Sequence, residues 1–442
     1  MRIPERPPNE DEVNKLVAEN YGSVSALNPY VQIVNREYLH WDELAVDGRF
    51  KGVDLKLLWG LVKLSRSMNI RPIKLNGTTL RYVQTPATEK MLHDLDMRVG
   101  GKIRDMESQL PGLELKKKYL VNSLMEEAIA SSQLEGASTT RVAAKQMLRE
   151  RRTPRNNSER MILNNYLTLL YIKKKVEQNQ KLTLDFIKEV HSTITKDALD
   201  EKSYEGTFRI SDDVKLFARD DPFQVVYIPP AHQRIEILLN QVCDFINGTE
   251  SAYYLHPIVK AITLHYMIGY VHPFNDGNGR TARALFYWYL MTQNYGNFEY
   301  IALSTAIIRA PARYTRAYLY AENDSNDITY FVKYNLDAID TAVSSFEKYV
   351  EKTLAENKKI FQSIESNPEL NFRQADLLIT MSKHDGRVSI GEMRERYDVT
   401  YETARTDLID LTNKGYLKLF RKGKLFIFTL DKEKYLKEAG SK

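Results

Sequence analysis

The pattern of apolar and polar positions along this chain predicts a protein built mainly from α-helices. Residues 256–270 are apolar at mostly helical spacing, which is typical of a buried helix. A residue before proline is biased away from the helical conformation, so this helix should end at His272, before Pro273. A second helix is predicted from Arg280 to about residue 291. The two helices would therefore enclose a short polar loop.

Alternating apolar residues on either side of turn signals predict two β-hairpins. Residues 73–75 and 79–83 flank Asn76-Gly77, a dipeptide that favours tight two-residue turns. Further along, apolar positions at 208–217 and 225–228 flank an Asp-Asp-Pro turn signal at residues 220–222. The first hairpin belongs to a predicted amino-terminal module, whose function the sequence does not indicate.

The carboxy-terminal segment has the element order of a winged helix-turn-helix. Helices are predicted at 373–383, 392–397 and 400–413, after which residues 416–420 and 425–429 alternate as a hairpin. A long helix, predicted at 341–367, would connect this segment to the rest of the chain. The predicted domains are an N-terminal helical module (1–112), a central core (113–345), a connecting helix (346–370) and the winged helix (371–442).

The third of those helices would be the recognition helix, and the basic hairpin tip, residues 421–424, would be the wing. Thr403, Arg405 and the cations of the wing are the candidates for DNA contact. Glu402, Asp407 and Asp410 dilute the positive charge of the helix. Dimerisation or the docking of a target protein therefore stays open beside DNA binding, and so does a homo-oligomer.

Composition sets the expected environment. A length of 442 residues suggests two or three domains, and 63 Lys and Arg against 58 Asp and Glu is too even to indicate nucleic-acid binding by charge alone. The single cysteine, Cys243, excludes an intrachain disulfide framework. The apolar runs are too short for a membrane span, and the start of the chain lacks a signal-peptide pattern. We therefore expect a cytoplasmic protein with no membrane partner.

The loop at residues 272–283 concentrates groups that suit phosphate chemistry. Gly277 and Gly279 let the backbone approach a ligand closely, and the helix after them aims free N–H groups at an anion. Arg280 and Arg283 lie three residues apart, hence on one face of that helix. Two cations in a first helical turn oppose the helix dipole, so their position favours an anionic ligand.

This loop resembles the signature of the Fic domain, His-Pro-Phe-x-(Asp/Glu)-Gly-Asn-Gly-Arg-x-x-Arg, at every specified position. The likeness extends to the two central helices and to residues 206–230, which resemble the β-hairpin flap of that family. Fic enzymes typically move AMP from ATP to a hydroxyl side chain of a target protein and release pyrophosphate. The resemblance therefore implies a Fic-type helical core with nucleotidyltransferase activity, using Mg²⁺ as cofactor and ATP as co-substrate.

The chemistry of each residue agrees with the role that the resemblance implies. His272 is the predicted base, because imidazole titrates near neutral pH and can accept a proton from Ser, Thr or Tyr. Asp276 offers a hard oxygen ligand to Mg²⁺, and Phe274 is expected in the core. Guanidinium groups suit the β and γ phosphates. The predicted nucleotide-binding residues are Gly277, Asn278, Gly279, Arg280 and Arg283.

Upstream, Ser131 and Glu135 precede Gly136 at the end of a predicted helix, residues 116–136. This pattern resembles the inhibitory motif (Ser/Thr)-x-x-x-Glu-(Gly/Asn) of the same family. The resemblance implies that Glu135 pairs with Arg283 and keeps the γ-phosphate from binding productively. In relatives of this layout the same glutamate can also orient water for removal of AMP from a target, so Glu135 could act as a brake or in the reverse reaction.

The flap leads to a further prediction about the target protein. Fic proteins are thought to hold the target segment as an added strand against the flap, which here would involve Val226, Tyr227 and Ile228. A hairpin without a partner is the structural alternative. At the level of function, the alternatives to AMP transfer are a de-AMPylating hydrolase and a DNA-binding regulator whose Fic core senses nucleotide.

Overall fold

The structure is a computed structural model that describes residues 2–20, 22, 24–75, 78–100, 113–218, 221–248, 253–366, 369–383, 387–422 and 425–431. As predicted, it is mainly helical, with only small sheets. In chain order the helices are α1 (Glu10–Glu19), α2 (Val24–Glu37), α3 (Trp41–Leu44), α4 (Leu55–Ser67), α5 (Pro86–Val99), α6 (Leu113–Leu134), α7 (Arg141–Arg149), α8 (Asn157–Glu177), α9 (Leu184–Thr195), α10 (Ile235–Asn247), α11 (Pro257–Val271), α12 (Asn278–Thr292), α13 (Leu303–Ile307), α14 (Pro311–Asn323), α15 (Thr329–Ser366), α16 (Phe372–Lys383), α17 (Ile390–Tyr397) and α18 (Tyr401–Asn413).

The strands form three small antiparallel sheets. They are β1 (Ile70–Leu75), β2 (Thr78–Val83), β3 (Leu216–Ala218), β4 (Asp221–Tyr227), β5 (Arg387–Ser389), β6 (Leu417–Lys422) and β7 (Leu425–Leu430). β1 pairs with β2, β3 pairs with β4, and the third sheet has the order β5-β7-β6. None of the helices in the described part of the chain is both long and apolar enough to cross a membrane.

The chain divides into two compact units, Met1–Phe346 and Glu347–Lys442. The first unit is centred on α11 and α12, which pack against each other. α12 also packs against α6, α8 and α9, and α11 packs against α10. Nearly every residue of α11 is buried, as its continuous apolar pattern predicts. The β1–β2 hairpin contributes Leu75, Leu80 and Tyr82 to the same core cluster as these helices. A second cluster lies among α1, α2 and α4, around Trp41 and Trp59.

The second hairpin differs from its predicted register. β4 already begins at Asp221, so Asp221 and Pro222 lie in a strand rather than in the turn, while Arg219 and Asp220 are outside the described residues. The side chain of Asp221 accepts a hydrogen bond from the Phe223 N–H at 2.9 Å. This local contact explains the turn-like sequence signal within a strand. Two register shifts accommodate strands of unequal length, and Ile228 follows the end of β4.

The connecting helix begins earlier than predicted. Its predicted start was residue 341, whereas α15 starts at Thr329, and the division between the two units falls within it. The first turns bury Phe331, Val332 and Leu336 completely, so this part of the helix belongs to the core of the first unit. A charged composition signals a connecting helix only after this apolar part has ended.

The second unit has the predicted winged helix-turn-helix elements around one apolar core, which includes Leu378, Met393, Leu408 and Phe428. α17 begins at Ile390, two residues before the prediction, because Ser389 and Glu392 form a capping box. β6 and β7 form the predicted hairpin. Two residues of the predicted basic tip, Gly423 and Lys424, lie outside the described residues.

Candidate active site

His272 lies at the carboxyl end of α11 in a left-handed conformation, with φ of 48°. Its Nδ1 is 3.2 Å from the carbonyl oxygen of Gly269. A carbonyl only accepts hydrogen bonds, so Nδ1 carries the proton and Nε2 keeps its lone pair. Burial lowers the pKa of His272, although the Gly269 carbonyl and the charge of Glu135 oppose this effect. The imidazole is therefore neutral at physiological pH and can accept a proton at Nε2.

The loop after His272 is held in shape by Asn278. The Asn278 side chain accepts a hydrogen bond from the Phe274 N–H at 3.0 Å and donates one to the Phe274 carbonyl at 2.7 Å. Asn278 is buried, so what it can offer a phosphate is its backbone N–H. Gly277, at φ of 81°, makes the turn into α12, and a Cβ there would lie 2.8 Å from Thr195.

His191 supports this loop from α9, and the sequence analysis missed it. Its Nδ1 accepts a hydrogen bond from the Gly206 N–H at 3.0 Å, so its Nε2 donates to the Asp276 carbonyl at 2.8 Å. The ring stacks on Phe274, as predicted a core residue, with centroids 3.6 Å apart. Burial lowers the pKa of His191 to about 4, which keeps this hydrogen-bond pattern intact at neutral pH. A lone histidine on a helix carries no motif that could have singled it out.

Arg209 links the same loop to the flap. Its backbone N–H donates to the Pro273 carbonyl at 2.8 Å, and its Nε donates to the His272 carbonyl at 2.9 Å. The other guanidinium nitrogens donate to the carbonyls of Ser211 and Pro230, at the two ends of the hairpin region. Arg209 lies within the flap-like sequence match, but only the structure shows that it positions the backbone of His272.

The first two turns of α12 carry two arginines whose guanidinium groups are buried. Arg280 and Arg283 are each 1% exposed. Within the described part of the chain, Arg280 Nε, Arg280 Nη1 and Arg283 Nη1 are buried and have no hydrogen-bond partner. We call these three atoms the guanidinium trio. Buried cationic donors are normally paired, so the trio fits an anion that completes the site.

Glu135 lies against this turn from the end of α6. Arg283 Nη2 donates to Glu135 Oε1 at 2.8 Å, while Arg283 Nε donates to the Ser131 hydroxyl at 2.9 Å. A Cβ at Gly279 would lie 2.2 Å from Glu135 Oε1, so only glycine leaves room for the carboxylate at this place. Burial by itself raises the pKa of Glu135, but the charge and hydrogen bond of Arg283 outweigh it, and the pKa is lowered. Ser131, Glu135 and Arg283 are therefore brought together as predicted.

Asp276 is the carboxylate that the structure offers to a cation at this site. Its side chain is 59% exposed, with one oxygen 3.3 Å from Arg280 Nη2 and the other accepting the Gly277 N–H at 2.5 Å. Among the described residues there is no group of three or more potential metal ligands. A single exposed carboxylate beside an anion site fits Mg²⁺, which binds through one or two carboxylates together with substrate phosphates.

The predicted docking residues of the flap have different surroundings. Ile228 is 64% exposed, and Phe223 is 91% exposed. Val226 is half-buried. Tyr227 is also half-buried, and its hydroxyl donates to the Tyr270 carbonyl at 2.7 Å, which attaches the flap to α11. Tyr227 thus contributes to the position of the flap, whereas the exposed apolar side chains face solvent.

In the second unit, two acidic side chains of α18, the predicted recognition helix, are paired with groups of the same unit. Asp407 is buried and accepts hydrogen bonds from Arg373 Nε at 2.7 Å and Asn371 Nδ2 at 2.8 Å. Asp410 pairs with Lys414 at 2.6 Å. Both acidic groups are therefore compensated within the unit. Arg405 is 3.8 Å from Glu402 on the exposed face.

Comparison with known proteins agrees with this geometry. Residues 181–290 match the Fic/DOC family. The Fic domain that the sequence predicts is thus matched over these residues. Residues 373–424 match the DeoR-like helix-turn-helix domain, so the predicted combination of a Fic domain and a carboxy-terminal helix-turn-helix is confirmed.

Relatives named protein adenylyltransferase Fic match the region of the Fic domain. The protein from Nematostella vectensis is 33% identical over 112 residues, which is 25% of this chain and 23% of the relative. The protein from Aedes aegypti is 31% identical over 120 residues, which is 27% of this chain and 22% of the relative. The chain thus spans about a quarter of the length of the curated relatives it matches.

The fold is also that of known Fic proteins. A Fic family protein from Desulfovibrio desulfuricans G20 superimposes with a TM-score of 0.51 at 18% identity, covering 79% of this chain and 98% of that protein. A Fic-1 variant from C. elegans gives a TM-score of 0.50 at 18% identity, covering 79% of this chain and 90% of that protein. At this level of identity the likeness supports the fold alone.

Proposed function

We propose that the chain is a protein adenylyltransferase that moves AMP from ATP to a Ser, Thr or Tyr hydroxyl of a target protein. The guanidinium trio beside a neutral His272 carries this proposal, because it combines an anion site with a base at the ends of two adjoining helices. The name of the relatives that match the Fic domain supports the same activity. The cytoplasm, where ATP is abundant, is the expected location.

The reaction requires a base, an electrostatic clamp and in-line positioning. His272 Nε2 takes the proton of the acceptor hydroxyl while its oxygen attacks the α-phosphorus. The bond from that phosphorus to the bridging oxygen breaks, and pyrophosphate leaves. Arg280, Arg283 and the first N–H groups of α12 hold the β and γ phosphates. Asp276 would hold Mg²⁺, which supplies charge neutralisation to the phosphates when it is bound.

Glu135 restrains this reaction in our proposal. Its carboxylate lies at the position of α12 where a phosphate would approach, and it occupies Arg283 Nη2 at 2.8 Å. An anion that binds Arg283 fully must displace the carboxylate. Because a charge-assisted pair contributes about 1.5 to 3 kcal/mol, the enzyme should be slowed rather than inactive. The same carboxylate could orient water for the removal of AMP, and this is the alternative direction.

The decisive experiment is incubation of the full chain with α-labelled ATP, Mg²⁺ and cell lysate, followed by detection of label on protein. We expect weak labelling by the wild type and strong labelling by Glu135→Gly. Asp276→Ala should weaken Mg²⁺-dependent nucleotide binding and turnover together. The absence of protein-bound label from both wild type and Glu135→Gly would overturn the proposal. Loss of label from a pre-modified target, dependent on Glu135, would indicate the hydrolase direction.

A second candidate function belongs to the winged unit, which the DeoR-like match and the internal compensation of Asp407 favour as a DNA-binding module. The full chain would be tested against a random duplex DNA pool at two salt concentrations. Specific binding should weaken in Arg405→Ala and should fall with salt, as phosphate contacts require. Binding that is absent, or unaffected by Arg405→Ala, would count against this function.

A further inference from the structure

The candidate inhibitory helix α6 carries a polar stripe that extends well beyond the inhibitory pair. Ser123, Glu127, Ser131 and Glu135 follow one another at intervals of four residues, which keeps them near one face of the helix. Each of them makes a contact with the Fic core. The Ser123 hydroxyl donates to the Tyr300 carbonyl at 2.6 Å, and Ser131 and Glu135 accept from Arg283.

Glu127 also makes a buried contact. Its side chain accepts two hydrogen bonds from Ser304, one from the backbone N–H at 2.8 Å and one from the hydroxyl at 2.5 Å. Glu127 is 4% exposed and Ser304 is fully buried. Burial raises the pKa of Glu127, although the Ser304 bonds oppose this effect. We call the contact between Glu127 and Ser304 the latch.

The latch lies next to the part of α12 that carries Arg283. Ser304 follows Leu303, whose N–H donates to the Tyr287 hydroxyl at 2.7 Å, and that hydroxyl donates to the Ile301 carbonyl at 2.9 Å. Tyr287 is one turn beyond Arg283 on α12, just as Glu127 is one turn before Ser131 on α6. α6 is thus held at two successive levels: the latch joins it to α13 beside Tyr287, and Arg283 joins it to α12.

We infer that Glu127 is a positioning residue for inhibition: through the latch it sets the register of α6 on the Fic domain, so that Glu135 reaches Arg283. This inference rests on the proposed function. Glu127 precedes Glu135 by eight residues, a separation of about 12 Å along the helix axis, so it acts on the nucleotide site only through α6. A buried carboxylate without its donors is unfavourable, which makes the latched register well defined.

The test compares Glu127→Ala and Ser304→Ala with wild type in the AMP-transfer assay, and again in the Glu135→Gly background. In the wild-type background we expect transfer to rise about three- to tenfold for Glu127→Ala and by a smaller factor for Ser304→Ala, because each variant removes hydrogen bonds to a charged group. With Glu135→Gly the brake is already absent, so Glu127→Ala should change transfer less than about twofold. This non-additivity separates positioning from a general structural role.

Glu126 offers a matched control on the same helix. Its carboxylate pairs with Arg141 on α7, at 2.7 Å from Arg141 Nε, rather than with the α12 side of the Fic domain. Glu126→Ala should leave transfer close to that of wild type. Hydrogen exchange of the last turn of α6 should be faster in Glu127→Ala and Ser304→Ala than in Glu126→Ala, measured on full chains that remain folded.

The outcomes distinguish the inference from the function on which it rests. An inactive Glu135→Gly would overturn the proposed function itself. If Glu135→Gly is active but Glu127→Ala and Ser304→Ala leave wild-type transfer unchanged, the inference is wrong. It is also wrong if they lower transfer equally in both backgrounds, or if Glu126→Ala raises transfer as much as Glu127→Ala.

Discussion

Arg280 and Arg283 lie three residues apart in the first two turns of α12 and are equally buried, but they differ in their contacts with α6. Arg283 donates to the Ser131 hydroxyl, the Ser131 carbonyl and Glu135. Among the residues that the structure describes, the Arg280 side chain has one partner, Asp276, at 3.3 Å. Two of its nitrogens belong to the guanidinium trio. α6 therefore contacts one of the two arginines of the anion site, which is the arrangement that the proposed inhibition by Glu135 requires.

The largest expected effect comes from loss of the base, which acts in the chemical step, whereas both arginines bind phosphate. His272→Ala should lower AMP transfer by a factor of about a hundred to ten thousand, the range of general base catalysis, because the hydroxyl then loses its proposed proton acceptor. ATP affinity should stay within about twofold, since phosphate binding depends on α12. Labelled-ATP transfer and equilibrium ATP binding would be measured on the same preparations. Normal transfer by His272→Ala would show that the base is misassigned.

The next largest effect concerns Arg283, the arginine that pairs with Glu135. Glu135→Gly should raise transfer, including self-modification, by about ten- to a hundredfold, which corresponds to 1.4 to 2.8 kcal/mol of differential binding. Adding Arg283→Ala should remove this gain, because the released arginine is the group that seats the triphosphate. Initial rates of the two single variants and the double variant provide the comparison. Additive effects would contradict the pairing of Glu135 with Arg283 as the brake.

Loss of Arg280 should lower AMP transfer whether or not Glu135 is present. Arg280→Ala removes two members of the guanidinium trio, so we expect transfer to fall about tenfold, as for the loss of a hydrogen bond to a charged group. The factor should be similar in the wild-type and Glu135→Gly backgrounds, because Glu135 is hydrogen-bonded to Arg283 and interacts with Arg280 only through its charge. A factor that depends strongly on the background would mean that the brake acts on both arginines.

The smallest effect is a shift of the pH profile. Burial lowers the pKa of His272, and only its neutral form accepts a proton, so transfer should be lost as pH falls through this lowered pKa. Glu135 opposes the shift by its negative charge. In Glu135→Gly the acid limb of kcat should therefore move to lower pH. A movement to higher pH would contradict the electrostatic coupling of Glu135 and His272.

Local signals were sufficient for much of the fold. The end of α11 before Pro273, the elements of the winged unit and the β1–β2 pairing each follow from proline, apolar period or turn chemistry acting over a few residues. The predicted position of the flap turn was wrong in part, because Asp221 lies in a strand and its side chain makes a turn-like contact there. The predicted start of α15 was too late, because its first turns are apolar and lack the charged composition that is typical of a connecting helix.

The sequence by itself determined which chemical groups meet at the candidate site. His272, Asp276 and both arginines lie within one short segment, at the junction of two consecutive helices. The tertiary structure alone decided how those groups are held. His191, Arg209 and Glu127 come from distant parts of the chain, and their hydrogen bonds to backbone groups leave no periodic or motif signal. Their roles arise only when folding removes water and obliges each buried polar group to find a partner.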